Sequence, residues 1–568
     1  MNTPNPALVT QKAAQRLPRL ALLLFCAAYL LPGLFGRDPW KNADISAFGY
    51  MVNIANGSAD WLSPSIAGVP SSGALLPYWL GALFIKLLSP LVDPTLAARI
   101  PFTLLLGLTL VLTWYSTYHL ARTDAAKPLP FAFGGEASSV DYARAVADGA
   151  LLALIATLGL LQLGHETTPE LAQLMAMSLV LYGLSASDDN RWRSRLSVLA
   201  GLPMLAASGA PSIAMALSVI AAAGTWLWGP PHKREFAGWI VAAGVVAALA
   251  ALALDAWGWR LGSFRSPGQL LSLGRLLLWF SWPTWPFALW TLWRWRRQLR
   301  ASHIAQPMGM VAVSLAACVA MGGSDRALML ATPSLAVLAA FALPTMKRSA
   351  AAAIDWFSVC FFTACAGFVW VMYAAMQTGF PAKPAANVAK LAPGFTPSFS
   401  LIALLFAVLG TLSWIWLVQW RAGRNRHPLW KSMVLPASGV ALCWLLGMTL
   451  WLPPLDYARS YRPLIDNIAR TVPRGSCVQA VQLPLAELAA LEYFGGYRVR
   501  TASPDVLTNA RVKGDASAPD ASCDYLMVQD SEATRSIAPI GWTSLARERR
   551  PTDNADITVI YRRAASPR

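Results

Sequence analysis

This sequence is poor in charge. Only 13% of its 568 residues are Asp, Glu, Lys or Arg, against 56% hydrophobic, and the mean hydropathy is +0.45. That balance excludes a soluble globular chain of this length and leaves a polytopic membrane protein. Acidic residues are scarcest, 29 against 46 Lys and Arg, giving a formal charge of +17. The excess does not point to nucleic acid, because most basic residues sit in short clusters between apolar runs, as the positive-inside rule produces. Cysteines lack metal-ligand spacing: Cys26, Cys318, Cys360, Cys365 and Cys443 lie inside apolar runs, where packing is their expected role. The first apolar run, from near Leu20 to Phe35, lacks a small-residue cleavage site and is expected to stay as an anchor. No internal repeat is visible, which counts against transporter folds built from inverted repeats.

A crossing takes about twenty apolar residues. On that measure thirteen spans are expected, near 18–36, 95–121, 143–163, 170–187, 195–209, 211–228, 236–256, 271–293, 306–322, 327–345, 351–376, 399–420 and 433–453. Gly209, Ala210 and Pro211 must form the whole connection between the fifth and sixth; one long kinked helix is the alternative, and it would invert everything downstream. Charge arbitrates. Arg122 and Lys127, then Arg191, Arg193 and Arg195, Lys233 and Arg234, Arg294, Arg296, Arg297 and Arg300, Lys347 and Arg348, and Arg421, Arg424, Arg426 and Lys431 share one side only with thirteen spans. Lys12, Arg16 and Arg19 join them, so the N-terminus is expected in the cytoplasm and the C-terminal tail outside a bacterial inner membrane.

The expected organisation is an all-α membrane domain over 1–453, with an external loop at 37–94, and a small α/β domain over 454–568 facing the periplasm. The tail shows strand-like runs at Val478–Leu483, Tyr497–Thr501, Tyr525–Gln529 and Ile557–Tyr561, and a helical period over Pro484–Phe494. Cys477 and Cys523, both at strand starts, either pair in an oxidising compartment or stay free, since spacing alone does not bring their Cα atoms together.

With direction fixed, the external connections hold the reactive side chains. The first carries Asp38, Lys41, Asp44 and Asp60, the second His165, Glu166 and Glu170, the fourth Asp255, Arg260 and Arg265, and the fifth Asp325 and Arg326 in a Gly-Gly-Ser-Asp-Arg turn. Such a set can supply a base or hydroxyl-orienting carboxylate and cations to hold a phosphate. Each also has a plain reading. Asp38 and Lys41 fit a solvated loop, and Lys86 a snorkelling side chain. Asp44 opens an amphipathic run, Ile45–Ala55, that reads as a helix lying on the membrane, where an N-cap needs no chemistry. His165 and Glu166 fit a loop pair, Glu170 a first-turn acid favoured by the helix dipole, and Asp325 with Arg326 a surface ion pair.

The run from Asp44 through Asp60-Trp61-Leu62-Ser63-Pro64, Ala67-Gly68-Val69-Pro70 and Pro77-Tyr78-Trp79 to Ala98-Arg99-Ile100-Pro101 resembles the polyprenyl-phosphate-dependent glycosyltransferases of the GT-C membrane fold, in particular the bacterial lipid A aminoarabinose transferases, relatives of the protein mannosyltransferases. A second, weaker match is Gly323-Ser324-Asp325-Arg326 with Ala331-Thr332-Pro333. The resemblance implies a sugar donor on undecaprenyl phosphate or a similar carrier, an external active site and a lipid or other periplasmic acceptor. Asp44 matches the family's first-loop acid, and Glu170, with Glu166 as substitute, its second. The departures are Ile45 in place of a second acid, Gly73-Ala74-Leu75-Leu76 in place of a Lys-Pro-Pro run, and Ser208-Gly209 in place of a Lys-Gly pair. Two expected phosphate-binding lysines are thus missing. Either Arg99, Arg265 or Arg326 carries the phosphate, or donor and acceptor differ from the aminoarabinose case.

The mechanism this implies places interfacial helices at 45–57 and 74–88 over a cavity open to the outer leaflet. Asp44 orients or deprotonates the acceptor, Glu170 or Glu166 bind sugar hydroxyls, Arg99 with Arg326 stabilise the departing phosphate, and Tyr78, His165, Arg265 and Asp325 complete the candidate substrate-binding set. No cofactor is demanded, although two carboxylate-bearing loops could meet around a divalent cation. A transporter is the rival class, but Asp148 and Asp355 lie near expected cytoplasmic ends rather than in mid-membrane. A non-catalytic assembly protein is the other, and a transferase acting on a protein hydroxyl is the alternative within the enzyme class.

Overall fold

The computed structural model describes residues 6–71, 73–258, 261–263, 266–422, 428–502, 523–530, 542–553 and 557–564. In chain order its first helices are α1 (Arg19–Leu30), α2 (Ala43–Ala55), α3 (Leu75–Leu88), α4 (Pro94–Ala121), α5 (Ser139–Ala156), α6 (Leu160–Leu163) and α7 (Pro169–Ser185). Then come α8 (Arg191–Ala207), α9 (Pro211–Trp228), α10 (Arg234–Ala253), α11 (Pro267–Phe280), α12 (Thr284–Arg294), α13 (Ser302–Ala320), α14 (Asp325–Met329) and α15 (Thr332–Ala340). The last are α16 (Arg348–Thr378), α17 (Ala382–Leu391), α18 (Leu401–Ala422), α19 (Lys431–Thr449), α20 (Leu452–Arg459), α21 (Arg462–Ile468) and α22 (Leu485–Tyr493). Every expected span carries a helix, and among the described residues eight helical stretches are long and apolar enough to cross a membrane by length and composition alone. The protein is a multi-pass membrane protein.

The connection at Gly209 is a turn between two helices, not a kink within one: α8 ends at Ala207, Gly209 takes φ +87°, and Gln173 Nε2 donates to the Ser208 carbonyl at 2.7 Å. Position in the bundle explains why some spans are short. Nearly every side chain of α5 and α7 is buried, many of them alanines that let neighbouring helices approach closely. By contrast α10, α16 and α18 expose Val241, Val245, Leu249, Phe368, Val371, Leu405 and Leu409, a surface for lipid to cover. In α4, Asp93 caps the N-terminus by accepting from Thr95 N at 2.8 Å, and Pro94 occupies the first turn, where its missing N–H costs nothing. That start fixes Arg99 near the N-terminal end of the helix.

The tail forms a five-stranded sheet from β3 (Cys477–Val481), β4 (Arg498–Ala502), β5 (Tyr525–Gln529), β6 (Trp542–Arg549) and β7 (Ile557–Arg563), in the order β4-β3-β5-β7-β6; β1 (Ser65–Ile66) and β2 (Val69–Pro70) pair separately in the first loop. β3 runs parallel to β4 and β5, with Val478 opposite Val499 and Tyr525, and β7 runs antiparallel to β5 and β6. Four strands coincide with the sequence reading; β6 does not, because an exposed edge strand reading Trp-Thr-Ser-Leu-Ala-Arg-Glu-Arg lacks a buried apolar alternation. Cys477 and Cys523 are disulfide-bonded, with Cα atoms 4.8 Å apart.

One local difference bears on the site. Instead of lying open on a membrane surface, α2 is buried along most of its length, Asp44, Phe48, Tyr50 and Met51 included. The tail covers it: Phe48 meets Tyr493 edge to face at 4.7 Å, and Glu492 accepts from Asn53 Nδ2 and Ala67 N, each at 2.9 Å.

Candidate active site

Asp44 sits in the first turn of α2, 1% exposed, and four donors converge on it. Thr167 N and Oγ1 both donate to Oδ1 at 2.7 Å, while Trp40 N at 3.0 Å and Arg37 Nη2 at 3.3 Å donate to Oδ2. Burial works to raise its pKa, but Arg37, Arg99 and the two backbone N–H groups overcome it and hold the carboxyl below the usual range. Asp44 is therefore an ionised, fully committed acceptor and a weak base.

Arg37 is 2% exposed and Arg99 3%. Arg37 also donates from Nη2 to the His165 carbonyl at 2.8 Å, and Arg99 donates from Nη1 to the Leu34 carbonyl at 3.4 Å. Beyond these, Arg37 Nε and Nη1 and Arg99 Nη2 are buried with no protein partner. Two guanidiniums around one carboxylate leave a net positive charge with donors to spare, which suits an anion.

Arg326 is differently placed. Its Nη2 lies 2.5 Å from Glu166 Oε2, and its Nη1 donates to Thr168 Oγ1 at 3.0 Å and Glu170 Oε2 at 3.4 Å. The second and fifth external connections thus meet as a Glu166–Arg326–Glu170 cluster, partly open on the Arg326 and Glu170 side. Burial, and then the charge of Asp44, raises the pKa of Glu166 against the pull of Arg326. Asp325 does not pair with its neighbour's guanidinium; it is exposed and accepts from the Arg326 backbone N at 2.8 Å.

The remaining candidates have other surroundings. His165 places Nδ1 2.7 Å from the Leu161 carbonyl and Nε2 2.8 Å from the Tyr29 carbonyl, and its ring packs on Trp444 at 4.5 Å, so both nitrogens face backbone. Burial pushes its pKa down to about 4. Tyr78 is buried against Tyr50, centroids 5.0 Å apart. Arg265 and Arg260 lie outside the described residues. A divalent cation finds little to hold: Asp44 and the Arg326-bound glutamates spend oxygens on protein donors, and among the described residues no three His, Cys, Asp or Glu side chains converge.

Trp40, which the sequence reading passes over, links this cluster to the tail. Its backbone N holds Asp44, its Nε1 donates to Asp456 Oδ1 at 2.7 Å, and the guanidiniums of Arg37 and Arg459 lie 4.6 and 4.9 Å from its ring centre. Asp456 Oδ2 accepts from Asp38 N at 3.1 Å, and burial pushes the Asp456 pKa up to about 6. Arg37 escaped notice as one more basic residue at the end of a span. Its signal was its side, since the expected topology puts this arginine at an external helix end, which the charge rule disfavours.

The largest of the described cavities, about 650 Å³, lies at the opposite ends of α4, α7 and α9, among Arg122, Asp189, Trp228 and Lys233, and shares no residue with this cluster.

No protein-family model matches the chain, and no curated protein matches it by sequence. Solved structures do. ArnT from Cupriavidus metallidurans superposes with a TM-score of 0.60 at 15% identity, over 95% of this chain and 98% of that one, in the apo state. The same protein bound to undecaprenyl phosphate gives 0.60 and 15%, over 95% and 97%. An oligosaccharyltransferase from Archaeoglobus fulgidus gives 0.45 and 11%, over 90% of this chain and 69% of that one. Across nearly its whole length the chain has the fold of ArnT, a GT-C fold.

Proposed function

We propose that this protein is an integral membrane glycosyltransferase that moves a sugar from a polyprenyl phosphate, undecaprenyl phosphate in a bacterial inner membrane, to an acceptor of the cell envelope such as lipid A or another glycan. The observation that carries the reading is the pair Arg37 and Arg99, buried, adjacent to Asp44 and holding unpartnered nitrogens, in a chain with the fold of ArnT. A sugar-phosphate diester carries one negative charge, and the phosphate that departs carries two. Cations fixed where that charge develops lower the barrier more than they tighten ground-state binding.

In this scheme Asp44 positions Arg37 and the first loop instead of taking a proton, because its lone pairs are spent. The donor's sugar hydroxyls lie against Glu166 and Glu170, which Arg326 holds in place. Direct displacement inverts the anomeric centre. The membrane domain, 1–453, has its N-terminus in the cytoplasm, and the domain over 454–568 covers the site from the periplasm.

The test is deletion of the gene in its native host, with mass spectrometry of lipid A and surface glycans and complementation by wild type or Arg37→Met. Loss of one sugar mass, restored by wild type and not by Arg37→Met, is expected. An unchanged glycan profile in the deletion strain would overturn the transferase, and full rescue by Arg37→Met would overturn the phosphate site.

A further inference from the structure

Beside Trp40, on the side away from Asp44, a second cavity of about 420 Å³ opens between the first loop, the segment that follows α17, and α20–α21. Asp38, Phe395, Thr396, Asp456, Tyr457 and Arg462 line it. Its charge pattern is the reverse of the Arg37–Arg99 cluster. Arg462 forks onto both oxygens of Asp38, Nε at 2.8 Å and Nη2 at 2.6 Å, so its charge is already balanced by a carboxylate. Asp456 has no such cation; Trp40 Nε1 and Asp38 N each donate one hydrogen bond to it. Each of its oxygens keeps a lone pair. The rings of Phe395 and Tyr457, 5.5 Å apart, supply an apolar wall, and Tyr457 Oη is fixed by donating to the Pro393 carbonyl at 2.6 Å.

We propose that this cavity is the acceptor subsite of the transfer reaction, and that it takes a neutral, hydroxyl-bearing sugar headgroup, with Asp456 receiving the hydroxyl that attacks. The inference rests on the transferase reading and narrows its acceptor. A phosphate would enter a pocket holding two carboxylates and a guanidinium already paired, and would gain no cation for the water it loses. A neutral sugar finds acceptors for its hydroxyls and aromatic rings for its C–H face. Trp40 holds Asp44 by its backbone N and Asp456 by Nε1, so the anion cluster and this cavity adjoin one residue. As the acceptor oxygen bonds the anomeric carbon its proton passes to Asp456, the bond from that carbon to the phosphate oxygen breaks, and the polyprenyl phosphate leaves with the electron pair. The acidity of Asp456 suits a base better than that of Asp44 does.

The test uses full-length protein in lipid nanodiscs with three probes: octyl β-D-glucoside and octyl phosphate, read by saturation-transfer NMR, and undecaprenyl phosphate, read by native mass spectrometry. Wild type is expected to bind the glucoside in this cavity, and octyl phosphate is expected to compete with undecaprenyl phosphate and not with the glucoside. Asp456→Asn and Thr396→Trp, the second filling the cavity from its exposed rim, should each weaken the glucoside at least tenfold, and Thr396→Trp should leave undecaprenyl phosphate binding unchanged. Octyl phosphate that displaces the glucoside from wild type, or glucoside binding untouched by Thr396→Trp, would overturn the assignment. Failure of wild type to bind undecaprenyl phosphate would instead overturn the transferase reading on which it rests.

Discussion

Asp44 and Arg37 make a buried pair whose removal by halves should cost more than its removal whole. In Asp44→Asn the amide oxygen can still serve Thr167, but the amide nitrogen then faces the Trp40 N–H and Arg37 Nη2, donor against donor. Arg37 keeps only the His165 carbonyl, with Arg99 as a second cation nearby. In Arg37→Met the carboxylate stays buried with three neutral donors and loses its adjacent counter-charge. Breaking a buried pair from either side costs about 3–5 kcal/mol. The double variant strands neither member of the pair, and its main costs are the unsatisfied Trp40 N–H, about 1–3 kcal/mol, and the loss of the Asp44 charge from beside Arg99. Thermal unfolding of the purified protein, followed by its own tryptophan fluorescence, should therefore rank wild type first, the double variant second and both single variants below it. All three variants should lack transfer activity. A double variant less stable than either single, or losses that simply add, would refute the view that the two side chains act as one unit.

Four further outcomes follow from the same geometry. Arg99→Met should weaken undecaprenyl phosphate binding at least tenfold, about 1.4 kcal/mol, by native mass spectrometry, with a smaller effect from Arg326→Met because its nitrogens are already engaged. Transfer should fall as pH drops through about 6, where Asp456 gains its proton among Asp38, Arg37 and Arg99, and an Asp456→Asn variant should keep its residual rate without that limb. A sigmoid near pH 6 persisting in Asp456→Asn would assign it to another group. Replacing Cys477 and Cys523 by serine opens a closure of 46 residues and should cost the tail about 2–4 kcal/mol, seen as faster proteolysis there. Gly49→Leu should loosen α22 from α2, because even a Cβ at position 49 falls 2.8 Å from that of Ala489; unchanged proteolysis and activity would show that the two helices do not depend on each other.

Apolar length and basic clustering made the helices legible, down to the break at Gly209, because lipid solvation leaves a polytopic chain few options. The second and fifth external loops were legible as a carboxylate and arginine population, and the structure joins Glu166, Glu170 and Arg326. What sequence could not supply was pairing. Asp325 and Arg326 are adjacent in the chain, yet the guanidinium reaches across to residues 166 and 170, since consecutive side chains at a helix start point apart. His165 reads as a ligand by residue type, but α6 ends against Tyr29 and Trp444, and both ring nitrogens face carbonyls. Trp40 draws no reading from the sequence, and only the fold shows its two nitrogens holding two carboxylates.

The deepest of these unread pairings cross the domain boundary. Trp40 reaches Asp456 over 416 residues of sequence, Arg462 reaches Asp38 over 424, and Asn53 reaches Glu492 over 439. Local sequence cannot encode such contacts, and loop entropy does not favour them until the bundle between has formed. The order matters for chemistry. The segment from Arg37 to Asp44 is short, and its backbone at Asp38 and Lys41 and the indole of Trp40 are held by Asp456 and the Arg459 carbonyl. A misfolded tail would therefore release the first loop, letting Arg37 turn toward water and its free nitrogens solvate. The tail is thus part of the proposed anion site, setting Arg459 on the same indole as Arg37, and damage there should appear as lost phosphate affinity before it appears as an unfolded membrane bundle.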